Sequence, residues 1–143
     1  MGILVSNGVF TPVQPDEFSF IPVDEIDGAT NHAVDLPSSS NPQDIIDRVN
    51  KAPAIRIQFP SSADGRGFSI ASALRRAGYR GHLRASGHVL ADQYPLAVRA
   101  GFDDVEISNE LAERQPEDQW AEALTRTEFG YREQLMRSTS QTV

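Results

Sequence analysis

The chain has 143 residues, enough for one domain that buries about two-thirds of its unfolded surface around a single core. With 39% hydrophobic and 23% charged residues it reads as globular rather than disordered, and a net charge of -7 opposes unaided binding to nucleic acid or anionic membrane. It has no cysteine, which excludes disulfides, a thiolate nucleophile, a Cys-ligated iron–sulfur cluster and a zinc ribbon.

No run reaches the roughly eighteen apolar residues of a membrane span. The start MGILVSNGVF lacks a basic leader region, so a cytoplasmic location is expected. Residues 1–32 read as an irregular N-terminal segment: FSFIPV can form a strand, but Pro12, Pro15 and Pro22 leave little room for helix. From residue 33 onward, short apolar or period-two runs alternate with helical stretches, the pattern of parallel strands joined by crossover helices. Ala33 to Leu36 is the weakest strand. Ser40 or Asn41 caps a helix that has Pro42 at its first position and runs through Ile45, Ile46 and Val49 until Pro53. Residues 54–59 (AIRIQF) are a strand closed by Pro60 and the loop SSADGRG.

Phe68 to Ala77 is a helix with Ile70, Ala71, Leu74 and Ala77 on one stripe and Gly78 as its stop. Residues 82–86 (HLRAS) are the next strand. An Asp92 cap starts a helix that ends at Gly101, because Pro95 is tolerated only in a first turn. Residues 103–107 (DDVEI) make the last strand, and an Asn109 cap opens a helical region interrupted near Pro116, with Trp120 and Leu124 one turn apart. Residues 138–143 are a loose tail. The expected fold is a single α/β domain of parallel strands with right-handed crossover helices, either a half-barrel-like (βα)4 unit or a small open sheet.

Writing the strands by alternate positions divides every one of them. Ile55, Ile57 and Phe59 oppose Arg56 and Gln58; Leu83 and Ala85 oppose His82, Arg84 and Ser86; Val105 and Ile107 oppose Asp104, Glu106 and Ser108; Val34 and Leu36 oppose Asp35. Right-handed crossovers between neighbouring strands put all helices on the apolar side, leaving the polar side to be covered by the N-terminal segment, a second subunit, a partner or water. Arg56, Arg84 and Glu106 then form either an ion-pair network or a convergent small-molecule or interface site.

Charge is unevenly placed along the chain. Residues 66–99 carry 6 basic and 1 acidic groups between two flanks that are each strongly acidic. Arg75, Arg76, Arg80 and Arg99 suit helix surfaces paired with those flanks, whereas Arg66 precedes a helix start at the carboxyl end of a strand, a position that favours an anion. Asp64, Arg66, Arg84, Asp92, Gln93 and Glu106 are the candidate anion- or ligand-binding residues. Gly65 and Gly67 are read as turn glycines, and Asp92 also has a structural task as a cap. His88, at another strand's carboxyl end, occupies a place where general bases are found. No catalytic set is identified. The dinucleotide, P-loop, zinc-protease and nucleophile-elbow motifs are absent, three scattered histidines do not make a metal site, and no cofactor is expected.

Phe59-Pro60, the loop Asp64-Gly65-Arg66-Gly67-Phe68-Ser69, Leu74-Arg75 with Gly78-Tyr79-Arg80-Gly81, Leu83-Arg84-Ala85 with Gly87, and Val89-Leu90-Ala91-Asp92-Gln93 resemble a bacterial domain-of-unknown-function family commonly labelled as a probable oxidoreductase involved in sulfite reduction. Arg99 and Gly101-Phe102-Asp103 extend the likeness, which is firm over residues 54–107. His82 and His88 stand where the family usually has acidic residues, and Ser61-Ser62 replace a Lys-aromatic pair. The resemblance implies a link to assimilatory sulfite reduction and no catalytic residue set. Sulfite reduction needs redox cofactors whose usual cysteine ligands this chain lacks, so the implied role is an accessory one. The expected partners are sulfite reductase or another redox protein, or a small oxyanion bound at Arg66 and Arg84 with Glu106 orienting Arg84. A small enzyme using Asp64, His88 or Glu106 on an acidic or phosphorylated metabolite, and a homodimeric interaction module closed over the polar face, are the alternatives.

Overall fold

The computed structural model describes residues 2–14, 18–26 and 31–126. The elements are β1 (Ile3–Ser6), β2 (Val9–Pro12), β3 (Phe20–Pro22), β4 (Ala33–Leu36), α1 (Pro42–Val49), β5 (Ala54–Phe59), α2 (Arg66–Arg76), β6 (His82–Gly87), α3 (Tyr94–Ala100), β7 (Asp104–Ile107), α4 (Asn109–Arg114) and a helix over 117–126, α5. All seven strands form one open sheet in the order β2-β1-β7-β6-β5-β4-β3. Neighbours from β3 to β7 are parallel and consecutive in sequence, while β1 runs antiparallel to both β7 and β2. The sheet does not close into a barrel.

The expected irregular N-terminal segment contains three of these strands. Asn7 and Gly8 both have positive φ (53° and 77°), the backbone of a two-residue turn whose twist matches its strands, so ILVS and VFTP close into a hairpin. Its edge strand is blunted: the Phe10 backbone N–H donates to the Glu117 carboxylate at 2.7 Å, so α5 caps a group that would otherwise pair with another chain.

Connectivity also dictates curvature. Pro12 lies level with Ile3 and thereby with Ile107 at the carboxyl end of β7, whereas Phe20 pairs with Ala33 at the amino end of β4. Eight residues of chain reach at most about 29 Å. Six flat strand spacings of about 4.8 Å, plus the offset along the strands, exceed that span. The two edges therefore curl toward each other over the polar side, where Phe18 lies against His82 and Arg84, while α1, α2 and α3 pack on the apolar side.

That apolar side is the core. Ile55, Ile57, Leu83, Ala85 and Val105 are fully buried under Ala71 and Leu74 of α2 and Ala97 of α3. Phe102 meets Phe59 and Phe68 edge to face with centroids 5.9 and 6.5 Å apart, and Phe59 and Phe68 lie tilted against each other at 4.9 Å. Trp120 packs on Tyr94 and Phe10, which seats α5 against α3 and the hairpin.

Four local expectations need correction, and a fifth lies beyond view. Helix α2 starts at Arg66, before Phe68, and Gly67 is helical: a Cβ there would strike the Phe59 ring, so the glycine admits the strand's aromatic rather than making a turn. Gly65 likewise has an ordinary φ of -89°. Asp92 caps nothing. The Gln93 side chain accepts from the Leu90 N–H to close a short 3-10 turn (Ala91–Gln93), and α3 follows with Pro95 in its first turn. Ser108, not Asn109, caps α4 by accepting from the Leu111 N–H. The expected tail at 138–143 lies outside the described residues.

Arg75 does more than decorate α2. Its guanidinium donates to the carbonyl oxygens of Tyr79, Gly81 and Gly101 and to the Asp103 carboxylate, all at 2.9 to 3.1 Å, tying the end of α2 to the strand that follows and to the start of β7. We expect Arg75→Ala to lower stability by about 3 kcal/mol in urea unfolding and Arg75→Lys to lose most of the same amount, because an ammonium cannot span a carboxylate and three carbonyls. A lysine variant as stable as the parent would refute this clamp.

Candidate functional site

Strand alternation and parallel register bring the polar side chains into rows. Asp35, Arg56, Arg84 and Asp104 lie side by side on β4, β5, β6 and β7, and one pleat further Gln58, Ser86 and Glu106 form a second row. Arg56 donates to Asp35 at 3.0 Å, which also accepts from Gln58 at 2.8 Å. Arg84 holds Asp104 with both prongs of its fork, at 2.9 and 3.0 Å. Glu106 stands between the two arginines, 3.6 Å from Arg56 and 3.8 Å from Arg84. The two arginines are neighbours of like charge, and the three carboxylates around them more than offset it.

Phe18 and Phe20 cover part of this face. The Arg56 guanidinium lies 4.4 Å from the centroid of the Phe20 ring, and Phe18 packs 5.4 Å from His82 and 5.6 Å from the Arg84 guanidinium. Arg84 is only 2% exposed, so its charge is committed inside the fold. Of the four covers considered from sequence, the N-terminal segment supplies this one.

His82, at the amino end of β6, places Nε2 3.0 Å from Asp104, a charge contact whose N–H is not aimed at the oxygen. The Asp104 carboxylate raises the His82 pKa above its ordinary value, against the opposing effect of burial. Burial pushes the Asp104 carboxyl up, but His82 and Arg84 together outweigh it and hold its pKa below the usual range.

The six candidate residues fall into three groups, and among the described residues no hydrogen bond or ion pair joins one group to another. Arg84 and Glu106 face each other in the network. Arg66 grips both oxygens of Asp64 at 2.8 and 2.9 Å and donates to Ser38 at 3.0 Å; the Arg66 contact, with Ser38, holds the Asp64 carboxyl well below the usual range. Gln93 braces its own turn and the Ser62 carbonyl, with Asp92 exposed beside it. His88 follows Gly87, whose φ of 121° and close approach to the Phe59 carbonyl end β6; the His88 N–H donates to that same oxygen at 2.9 Å.

Sequence reasoning placed Asp35, Asp104 and His82 on the polar side without singling them out, although their alternation with the apolar positions was the signal. Phe18 and Phe20 carried no signal beyond an alternating FSF string. A cleft of about 390 Å³ opens at the carboxyl ends of β3, β4 and β5, with Asp35 and Gln58 on its floor, Asp24 and Ser38 at its side and Pro22, Pro37 and Pro60 as walls. Ligands of open α/β sheets bind at such strand ends. Among the described residues no group of three His, Asp or Glu side chains converges as metal ligands.

The model of a bacterial protein family of unknown function, DUF934, matches residues 33–141. The chain belongs to that family. The DUF934 match includes Asp35, Arg56, His82, Arg84, Asp104 and Glu106, the charged members of the network among the described residues, while Phe18, Phe20 and the β1–β2 hairpin lie before it. No curated protein and no solved structure matches the chain.

Asp104→Leu removes the carboxylate that Arg84 grips with both prongs and is expected to cost about 3 to 5 kcal/mol, whereas Arg84→Met with Asp104→Leu recovers most of that loss; a double-mutant cycle of these two singles and their double by urea unfolding measures the coupling. His82 also predicts a pH slope. Its folded pKa lies above the unfolded one, so its contribution is complete below about pH 6.5 and declines as pH rises through the folded value. Unfolding midpoints between pH 5.5 and 8.5 are expected to fall in the parent relative to His82→Gln, and parallel curves would exclude the pairing.

Proposed function

We propose that this DUF934 member is an accessory protein of assimilatory sulfite or sulfate reduction, which docks on the reductase and relies on the partner for the redox step. The observation that carries this reading is the mutual pairing of Asp35, Arg56, Arg84, Asp104 and Glu106, which leaves the sheet's charges bound to one another. The link to sulfite reduction rests on the family resemblance. Chemistry is consistent with an accessory role, since a chain without cysteine cannot supply the usual cluster ligands. Phe18 and Phe20 on the polar face count against a homodimer closed over Arg56, Arg84 and Glu106.

An oxyanion form of the same reading places the ligand at Arg66, which is 61% exposed at its side chain. The cleft between Asp24, Asp35 and Gln58 favours a second reading, a small enzyme acting on a metabolite held at the strand ends. Affinity purification of the full chain from its native cell, followed by mass spectrometry, decides between them. Recovery of sulfite reductase is the expected result, and repeated recovery with no redox protein would sink the accessory reading. Calorimetry with sulfite, sulfate and phosphate tests the oxyanion form: equal heats from the parent and Arg66→Ala would dispose of it.

A further inference from the structure

The outer side of the helical layer carries a second charged feature, independent of the sheet. One stripe of α2, formed by Ser69, Ser72 and Arg76, faces Leu96 and Arg99 of α3 across a groove of about 420 Å³ with Phe68 beneath. Arg66, Arg75 and Arg84 are all held by carboxylates. Arg76 and Arg99 form no ion pair or hydrogen bond among the described residues, and no carboxylate lines the groove. Leu96 is 44% exposed, one of the few large apolar side chains so placed.

The groove does not end at its own rim. Ser69 and Arg76 also line the neighbouring groove against α1, together with Arg66, and Leu96 and Arg99 also line the one leading to Ser62 and Asp92. The result is one trough over three helices, open along its length. Such a shape encloses no small anion. Two guanidinium groups that are unpaired among the described residues supply the arginine in which binding hot spots are enriched, and Leu96 beside them adds exposed apolar area.

We propose that this trough docks an acidic amphipathic segment of a partner protein, whose carboxylates pair with Arg76 and Arg99 while an apolar side chain seats on Leu96 and Phe68. Charge complementarity argues for this occupant: the trough is positive on a chain of net charge -7, so an acidic partner repelled by the rest of the surface is oriented onto it. A second copy is the less favoured occupant, since contact between this trough and the acidic α4–α5 surface is head-to-tail and makes a ring or a filament, not the far commoner two-fold dimer.

The existence of a partner rests on the docking reading above, and the test separates the two. Sulfite reductase recovered by the tagged parent chain is quantified against recovery by Arg76→Glu/Arg99→Glu and by Arg114→Glu, which alters an exposed arginine of α4. Circular dichroism checks that each variant is folded. A photo-crosslinker replacing Leu96 then maps the contact. At least a tenfold loss confined to the double variant, with the crosslink on an acidic segment of the reductase, is expected. Equal recovery by all three chains, or a crosslink to a second copy of the chain, overturns the trough proposal and leaves the docking reading standing. Failure of the parent to recover any redox protein overturns both.

Discussion

Two arginines side by side on adjacent parallel strands set the problem that much of this fold answers. Strands in a sheet are about 4.8 Å apart, and unit charges near that spacing repel by several kcal/mol at the effective dielectric of a protein surface. Arg56 and Arg84 are in register, so neither can escape along the strand. Asp35 flanks one, Asp104 flanks the other, and Glu106 sits between them. The aromatic faces of Phe18 and Phe20 add weaker attraction while excluding water. The arrangement works only if β4 to β7 keep this order and register.

That requirement shapes the rest of the sheet. The hairpin extends one edge beside β7, β3 extends the other, and the short chain between them forces the edges to curl over the charged rows. Curl and cover shield Arg84 and Asp104 from solvent while Asp35, Arg56 and Glu106 stay partly exposed, which strengthens the Arg84–Asp104 pair and raises the cost of leaving either alone. Charges so committed are poor ligands for anything else. What can meet a partner is carried elsewhere, by arginines on the convex helical layer and by the cleft at the strand ends.

Much of this was legible before any coordinates. Strands β4, β5, β6 and β7 and helix α1 stand where alternation and capping put them, because local backbone preference and burial agree there. The errors are instructive. Asp92 and Asn109 are good caps by residue type, yet Gln93 and Ser108 reach the free N–H groups, a choice settled by chain direction at each loop. The Asn7-Gly8 pair is a strong local hairpin signal, and the prolines at 12, 15 and 22 that rule out helix nearby do not prevent the short strands on either side of it.

By itself the sequence determined the alternation of apolar and polar faces, the α/β class and the gathering of charge on one side of the sheet, since each follows from periods of two and 3.6 residues and from parallel pairing of neighbours. Only the tertiary structure decided which charges pair, that Phe18 and Phe20 lie over them, and that Arg84 is sealed in while Arg76 and Arg99 remain outside. Those outcomes depend on contacts between residues twenty or more positions apart, and on how far a short connection can stretch across a curled sheet. No local pattern encodes either.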